Sequence, residues 1–208
     1  LLETGNGSKW SAKERTIFGL EDRTIDVALG EVGVSPDQID LVILTHLHFD
    51  HAGGLTRQSP DGQLISTFPS AEIVVQEQEW EDAMANRSTM SATYLRNHLD
   101  PVADQIRRIT GETTIIDGIR AIPTPGHTWG HQSILIDDAN GPLCFTGDLL
   151  PTANHVGRSW SMGYDMLPHD TLLTKERILN RAVEEGWRLV LDHEPGDPVV
   201  EVERDTQT

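Results

Sequence analysis

The sequence predicts an α/β domain built from packed layers of sheet and helix. Short apolar runs that suit buried strands alternate with segments whose apolar residues recur at helical spacing. In the middle of the chain, two pairs of apolar runs are separated by turns that contain Asp-Gly or Asn-Gly, which favours hairpins. The candidate chemical groups follow directly after predicted strands, where loops on a rigid scaffold commonly carry functional sites.

The 208 residues suit one domain, spanning 1–208, and no internal repeat or linker divides them. The chain opens on Leu1 in a stretch that resembles the end of a strand, so we expect an N-terminal truncation. A net charge of −17 disfavours nucleic acid and anionic membranes as partners. No run reaches the roughly 18 apolar residues of a membrane span. We therefore expect a cytoplasmic protein that acts on a small-molecule substrate, with a homodimer left open.

The first half of the chain is predicted to contain two short helices and then alternating elements. Ser11 and Glu14 have the spacing of a capping box, which predicts that a helix begins there. Apolar residues at helical spacing predict a second helix over residues 24–32, with Gly33 as its stop. The remaining predictions for this half are a buried strand at 41–44, a strand at 72–75 and a helix at about 76–86.

The second half is predicted to begin with two hairpins. Their strands are residues 113–116 with 119–122, around Asp117-Gly118, and residues 133–136 with 143–145, around a turn containing Asn140-Gly141. A helix capped by Asp170 is expected to run to Glu185 and to end at Gly186. Residues 189–191 form the final predicted strand.

Four candidate metal ligands lie within six residues directly after the strand predicted at 41–44. They are His46, His48, Asp50 and His51. Two histidines two positions apart can point the same way in an extended chain, and the following glycine pair permits a tight turn. Imidazole nitrogen and carboxylate oxygen suit Zn²⁺, Fe²⁺ or Mn²⁺. The alternative is a polar loop with incidental histidines, which this dense spacing disfavours.

This His-x-His-x-Asp-His pattern is the signature of the metallo-β-lactamase-fold hydrolases, which essentially the whole chain resembles. The other matching motifs are Glu3-Thr4-Gly5, with Glu where the family has Asp, Pro125-Gly126-His127-Thr128-Trp129-Gly130-His131, Thr146-Gly147-Asp148 and Asp192-His193-Glu194. The resemblance implies an αβ/βα four-layer sandwich. Because the family usually has a strand pair before the first motif, we expect the first strands to be lacking here.

The resemblance also implies a dinuclear metal centre, with zinc expected first and iron or manganese as alternatives. The implied ligands are His46, His48 and His127 for one ion, Asp50, His51 and His193 for the other, and Asp148 as the bridge. A hydroxide between the two metals would attack the substrate, and Asp50 would carry a proton to the leaving group. Taken singly, the last three motifs could equally hold turn or structural residues; their joint order favours ligands.

The expected reaction is hydrolysis of a lactone, ester or phosphotriester. A bridging Asp148 and the motifs in residues 147–165 resemble a branch related to quorum-quenching lactonases and organophosphate hydrolases. The residues expected to line the substrate pocket are Phe49, His155, Trp160, Met162 and Tyr164. Packing in the core or within loops is the alternative role for these side chains.

Several other interpretations stay open from the sequence. A mononuclear iron dioxygenase of the persulfide dioxygenase type shares the His-x-His-x-Asp-His motif. A glyoxalase II-like thioesterase would need a cluster of Lys and Arg for its anionic substrate, and none is visible. A non-enzymatic metal-binding domain or an incomplete fragment would also be compatible with the motifs. His131 is expected to support the ligands rather than bind metal, and Cys144 is expected to be a small core residue.

Overall fold

The computed structural model describes residues 1–90 and 92–204. These residues divide into two compact units, which we call the N-terminal unit (residues 1–75 and 80–108) and the C-terminal unit (residues 76–79 and 109 onward). In the described residues, no helix combines the length and the apolar character that crossing a membrane requires. The expectations of one domain, of missing upstream strands and of a cytoplasmic location stay predictions.

The N-terminal unit contains a three-stranded sheet, a small hairpin and five helices. The helices are α1 Ala12–Phe18, α2 Ile25–Glu31, α3 Phe49–Ala52, α4 Glu77–Met84, of which residues 80–84 belong to this unit, and α5 Arg96–Leu99. The strands are β1 Leu41–Ile43, β2 Thr56–Gln58, β3 Leu64–Ser66, β4 Glu72–Gln76 and β5 Ile106–Ile109. The sheet order is β1-β4-β5, with β1 parallel to β4, and β2 pairs with β3. The predicted strands and helices of this half are confirmed to within two residues at each end.

Local capping and burial explain where these elements form. The Ser11 side chain accepts a hydrogen bond from the Glu14 backbone N–H, while the Glu14 carboxylate accepts one from the Ser11 N–H, which confirms the capping box. Helix α2 ends before Gly33. The φ of Gly33 is 74°, a left-handed conformation that is unfavourable for residues with a side chain. The sheet buries one apolar core, which includes Val42, Leu44, Leu55, Phe68, Ile73, Val75, Leu99 and Val102.

The C-terminal unit contains a six-stranded sheet and one long helix. Its elements are β6 Thr113–Ile116, β7 Ile119–Pro123, β8 Gln132–Ile136, β9 Leu143–Phe145, α6 Pro168–Glu185, β10 Arg188–Val190 and β11 Val199–Glu201. The sheet order is β11-β10-β9-β8-β7-β6. Both predicted hairpins are confirmed as antiparallel pairs, whereas β9 and β10 are parallel and are connected through α6.

The prediction that Asp170 caps α6 is wrong. The helix begins two residues earlier at Pro168, and Asp170 lies in its first turn. The ring of Pro168 fixes φ near the helical value and its missing N–H costs nothing at the first helical position, so proline begins the helix. The predicted end is confirmed, because Gly186 takes the left-handed conformation directly after Glu185.

The core of the C-terminal unit contains Cys144, as the sequence predicts. The thiol is fully buried, and burial raises its pKa to about 12. A thiol with that pKa stays neutral at physiological pH and behaves as a small apolar side chain. Its neighbours in the same core are Ile122, Leu135, Leu149, Ile178, Ala182, Trp187 and Leu189.

The N-terminal unit buries the imidazole of His98, and the Nδ1 atom of this ring makes no hydrogen bond to the described residues. His98 on α5 is only 2 % exposed, and its ring lies 6.0 Å from that of Trp10. Burial and, to a lesser degree, the positive charge of Lys9 lower the pKa of His98 to about 3. The folded protein therefore keeps this imidazole neutral far below the pH at which an unfolded chain protonates it.

We expect His98 to make the protein sensitive to mild acid. Between the unfolded pKa of about 6.5 and the folded value the unfolded chain binds the extra proton, so stability falls as pH falls. From pH 7 to pH 5, wild type should lose about 2 kcal/mol more free energy of unfolding than His98→Gln. Urea unfolding of metal-free protein measures the difference. His169→Gln, at a side chain that is 81 % exposed, is the control, and equal slopes for all three proteins would contradict the prediction.

Candidate metal centre

The His-x-His-x-Asp-His motif, the second of the predicted motifs in chain order, places three histidines close together inside the N-terminal unit. His46 and His48 lie in extended chain after β1, and His51 lies on α3, the helix that also carries Asp50. All three imidazoles are buried. The ring centroid of His46 lies 4.4 Å from that of His48 and 4.0 Å from that of His51. The expectation that alternate residues of an extended segment point the same way is confirmed.

The Nδ1 atoms of His46 and His51 contact neighbouring polar groups. The Thr45 hydroxyl lies 2.9 Å from Nδ1 of His46. The Glu3 carboxylate faces Nδ1 of His51 at 3.4 Å and also accepts the backbone N–H of Thr45 at 2.7 Å. Contacts of this kind fix ring orientation and leave Nε2 as the nitrogen suited to a metal. Glu3 thus links the first predicted motif to the second.

Close backbone packing fixes the turn that follows the histidines. A Cβ on Gly53 would lie 2.2 Å from the carbonyl oxygen of Asn6, and one on Gly54 would lie 2.2 Å from that of Thr4. The Thr4 hydroxyl donates to the carbonyl of His51 at 2.7 Å. The segment after Glu3 therefore packs directly against the ligand turn and determines its path.

The C-terminal unit brings two histidines to one carboxylate. Asp148 is 4 % exposed. Its Oδ2 lies 3.2 Å from Nε2 of His127, and its Oδ1 lies 3.1 Å from Nε2 of His193. Each carboxylate oxygen thus faces a different imidazole. Asp148 lies three residues after the end of β9 and His193 three residues after the end of β10, so the parallel pairing of these strands brings the two together.

Three further side chains of this unit contact its histidines. The Asp165 carboxylate accepts a hydrogen bond from Nδ1 of His127 at 2.9 Å. The Thr124 hydroxyl lies 2.8 Å from Nδ1 of His131, whose ring is fully buried. Asp192 lies 3.8 Å from Nε2 of His193 and offers another carboxylate. The sequence pointed to His131 as a supporting residue but gave Asp165 and Asp192 no role.

The donor set fits divalent metal ions of the zinc type. Imidazole nitrogens and carboxylate oxygens are the ligands that such ions prefer. Two donors bonded at about 2.0 Å to one tetrahedral zinc lie roughly 3.3 Å apart. The distances of 3.2 Å and 3.1 Å from Asp148 to His127 and His193 match that separation.

The residues expected to line a substrate pocket have different surroundings. The Tyr164 ring lies 6.0 Å from that of His127, and Trp160 is 66 % exposed. The backbone N–H of Met162 donates to the Asp165 carboxylate at 3.3 Å. His155 instead contacts the Thr152 hydroxyl through Nδ1 at 2.8 Å. Contact with a substrate stays a prediction for each of them.

Phe49 belongs to an aromatic cluster that sequence reasoning did not find. We call Trp10, Phe18 and Phe49 the aromatic cluster, since each ring centroid lies 5.3 Å from the other two. Phe49 directly precedes the predicted ligand Asp50, whereas Phe18 is the last residue of α1 and is almost half exposed. A pattern of apolar residues on one face of α1 would have revealed the cluster in the sequence. The helix has no buried side chain and therefore no such pattern.

The chain belongs to the metallo-β-lactamase superfamily, whose family model matches residues 1–193. It has the metallo-β-lactamase fold. A structure described as a probable metal-dependent hydrolase from Staphylococcus aureus superposes with a TM-score of 0.85 at 27 % identity, covering 100 % of this chain and 78 % of that one. The dizinc quorum-quenching lactonase AidC, solved with a product, has the same fold, with a TM-score of 0.78 at 21 % identity, covering 100 % of this chain and 72 % of that one.

Curated relatives include N-acyl homoserine lactonases. One from a Bacillus species is 37 % identical over 129 residues, which are 62 % of this chain and 45 % of the relative. AttM of Azorhizobium caulinodans is 27 % identical over 186 residues, covering 84 % of this chain and 65 % of the relative. The chain thus spans about half to two thirds of the length of these relatives.

We expect Gly53→Ala to destabilise the protein because the new methyl group would overlap the Asn6 carbonyl. Overpacking of this kind costs about 1–3 kcal/mol of the free energy of unfolding, measured by urea titration. Gly30→Ala is the matched control, since the helical Gly30 has nothing within 4 Å of an added Cβ. It should raise stability by about 0.5–1 kcal/mol. Equal effects of the two substitutions would show that the turn tolerates a side chain.

Proposed function

We propose that the protein is a metal-dependent hydrolase that binds two divalent ions, zinc being the first expectation. The proposed ligands are His46, His48 and His127 for one ion, Asp50, His51 and His193 for the other, and Asp148 as the bridge. The observation that carries the proposal is the placement of Asp148, each of whose oxygens faces a different histidine at 3.1–3.2 Å. The family match and the name of the dizinc relative support the same interpretation.

The chemistry follows from the ligands and from Asp50. Bound divalent ions acidify water and polarise a carbonyl oxygen, which supplies the nucleophile and the electrophilic activation. The nucleophilic oxygen adds to the carbonyl carbon, and the bond from that carbon to the ring or ester oxygen breaks. Asp50, which is partly exposed beside His51, would deliver a proton to the leaving oxygen. No serine or cysteine nucleophile is required, and the buried Cys144 is unsuited to that role.

We propose lactones and esters with an apolar acyl chain as the substrate class, with phosphotriesters as the second class to test. The aromatic cluster lies directly beside the proposed ligand turn, because Phe49 precedes Asp50 in the chain. Its partly exposed rings offer an apolar surface on which a hydrocarbon chain would lose its contact with water. The activity named for the lactonase relatives supports this class.

We expect wild type to contain about two zinc, iron or manganese ions per chain and to hydrolyse a lactone or an ester. Asp148→Asn should lose at least one ion and nearly all turnover, because one oxygen of the bridge is replaced by a poor ligand. Elemental analysis and a hydrolysis assay measure both quantities. His169→Ala should behave as wild type. Two ions and full turnover in Asp148→Asn would overturn the proposed site, and one iron without hydrolysis would favour the dioxygenase interpretation.

We expect Phe18→Ala to discriminate substrates by the length of their acyl chain. Removing this ring should raise KM for a long-chain lactone about tenfold, because roughly 1–2 kcal/mol of apolar contact is lost. KM for a short-chain lactone should stay within about twofold. Ile17→Ala, an exposed neighbour outside the aromatic cluster, is the control. An equal change for both chain lengths would remove the cluster from substrate binding.

A further inference from the structure

The loop before α6 reaches His127 through a buried carboxylate. Asp165 ends a segment of residues 153–165 that contains four of the predicted pocket residues. Its side chain is almost completely buried, and its Oδ1 lies 2.9 Å from Nδ1 of His127. An ionised carboxylate only accepts hydrogen bonds, so Nδ1 is the donor. Nε2 is then the ring nitrogen left for a metal, and it is the atom that faces Asp148.

The two nitrogens of His127 thus have distinct roles. Nε2 lies 3.2 Å from Oδ2 of Asp148. These two atoms would help to hold a metal ion, and Asp165 would favour its binding by adding negative charge to the far side of the ring. This is the carboxylate–histidine–metal arrangement, in which the outer carboxylate fixes the tautomer and raises ligand basicity.

The loop is held at several points besides Asp165. The Lys175 ammonium, on a side chain that is 2 % exposed, donates to the carbonyl of His155 at 2.8 Å and to that of Trp160. The backbone N–H of Met166 donates to the carbonyl of His127 at 3.0 Å. The segment around Asp165 is therefore bonded to His127 through both side chain and backbone. A movement of this loop must therefore be accompanied by a movement of His127.

We propose that Asp165 is a positioning residue that sets the metal affinity of His127 and couples metal binding to the order of residues 153–165. The inference rests on the proposed function, because it requires His127 to be a ligand. By linkage, anything that orders the loop strengthens metal binding, and bound metal orders the loop by the same factor. Substrate contacts made by this loop would then act on the metal centre through one hydrogen bond.

The experiment compares wild type with Asp165→Asn and Asp165→Ala in a competition titration of zinc against a chromophoric chelator. Asp165→Asn keeps an acceptor for Nδ1 of His127 but loses the negative charge. The zinc affinity of the site that contains His127 should therefore fall about tenfold. Asp165→Ala loses both, and the fall should approach a hundredfold. Asp170→Asn, a half-exposed carboxylate on the first turn of α6, is the matched control and should leave affinity unchanged.

Two further readouts separate positioning from general stability. The visible spectrum of the cobalt-substituted protein should change in Asp165→Asn, because the ligand field at His127 changes, while urea unfolding of the metal-free protein stays as in wild type. Hydrogen exchange should show metal-dependent protection of residues 153–165 in wild type and much weaker protection in Asp165→Ala. If Asp165→Ala fails to fold, Asp165→Asn still carries the test through affinity and spectrum.

The outcomes distinguish the inference from the function on which it rests. If wild type binds zinc and hydrolyses substrate while both Asp165 variants keep wild-type affinity and spectrum, Asp165 has no positioning role and the proposed function stands. A wild-type protein that binds no metal overturns both. An affinity loss of equal size in Asp170→Asn would show a general effect of removing negative charge and would also overturn the inference.

Discussion

Asp148 is almost completely buried, and a carboxylate withdrawn from water must be compensated by positive charge or by several hydrogen bonds. The C-terminal unit places the Nε2 atoms of His127 and His193 against its two oxygens. Divalent cations held by these imidazoles would supply the compensating positive charge. The need to compensate this one side chain therefore connects the strand order, the metal proposal and the surroundings of both histidines.

The parallel pairing of β9 and β10 is what allows that compensation. Antiparallel neighbours would put the residues after each strand at opposite edges of the sheet, whereas parallel neighbours put them at one edge. Asp148 and His193 follow β9 and β10 respectively, and α6 provides the connection that parallel strands require. The segment before α6 also supplies Asp165, so one connection contributes both the topology and a contact to His127.

In both units, the imidazoles are held through Nδ1 by a neighbouring oxygen. The contacting residues are Thr45 for His46, Glu3 for His51, Asp165 for His127 and Thr124 for His131. Such contacts remove rotational freedom from the ring before any ligand arrives, so binding costs less conformational entropy. The close approach of the Asn6 carbonyl to Gly53 likewise fixes the path of the ligand turn.

Sequence reasoning found what local pattern encodes. The capping box at Ser11, the hairpins at 117–118 and 140–141 and the helix stop at Gly186 each depend on a few adjacent residues, and the structure confirms them. The contact between Asp165 and His127 joins residues 38 positions apart through an irregular loop, for which no periodicity exists. The aromatic cluster was missed for the related reason that α1 has no buried face. Two residues near the start of α6 are typical of helix beginnings, Asp170 as a cap and Pro168 as the first helical residue. The helix begins at Pro168, whose ring already restricts φ to a helical value.

The distribution of positive charge supports the proposal of a neutral rather than an anionic substrate. With a net charge of −17, the chain repels anions unless local cations bind them. Two lysines near the proposed site are already engaged, Lys9 with the carbonyls of Gly53 and Thr56 and Lys175 with carbonyls of the loop before α6. Burial lowers the pKa of Lys9 to about 8, which weakens its charge further in mildly alkaline solution. These lysines stabilise loops through the carbonyl groups that they contact, and their engagement supports the proposal of a neutral lactone or ester rather than an anionic thioester.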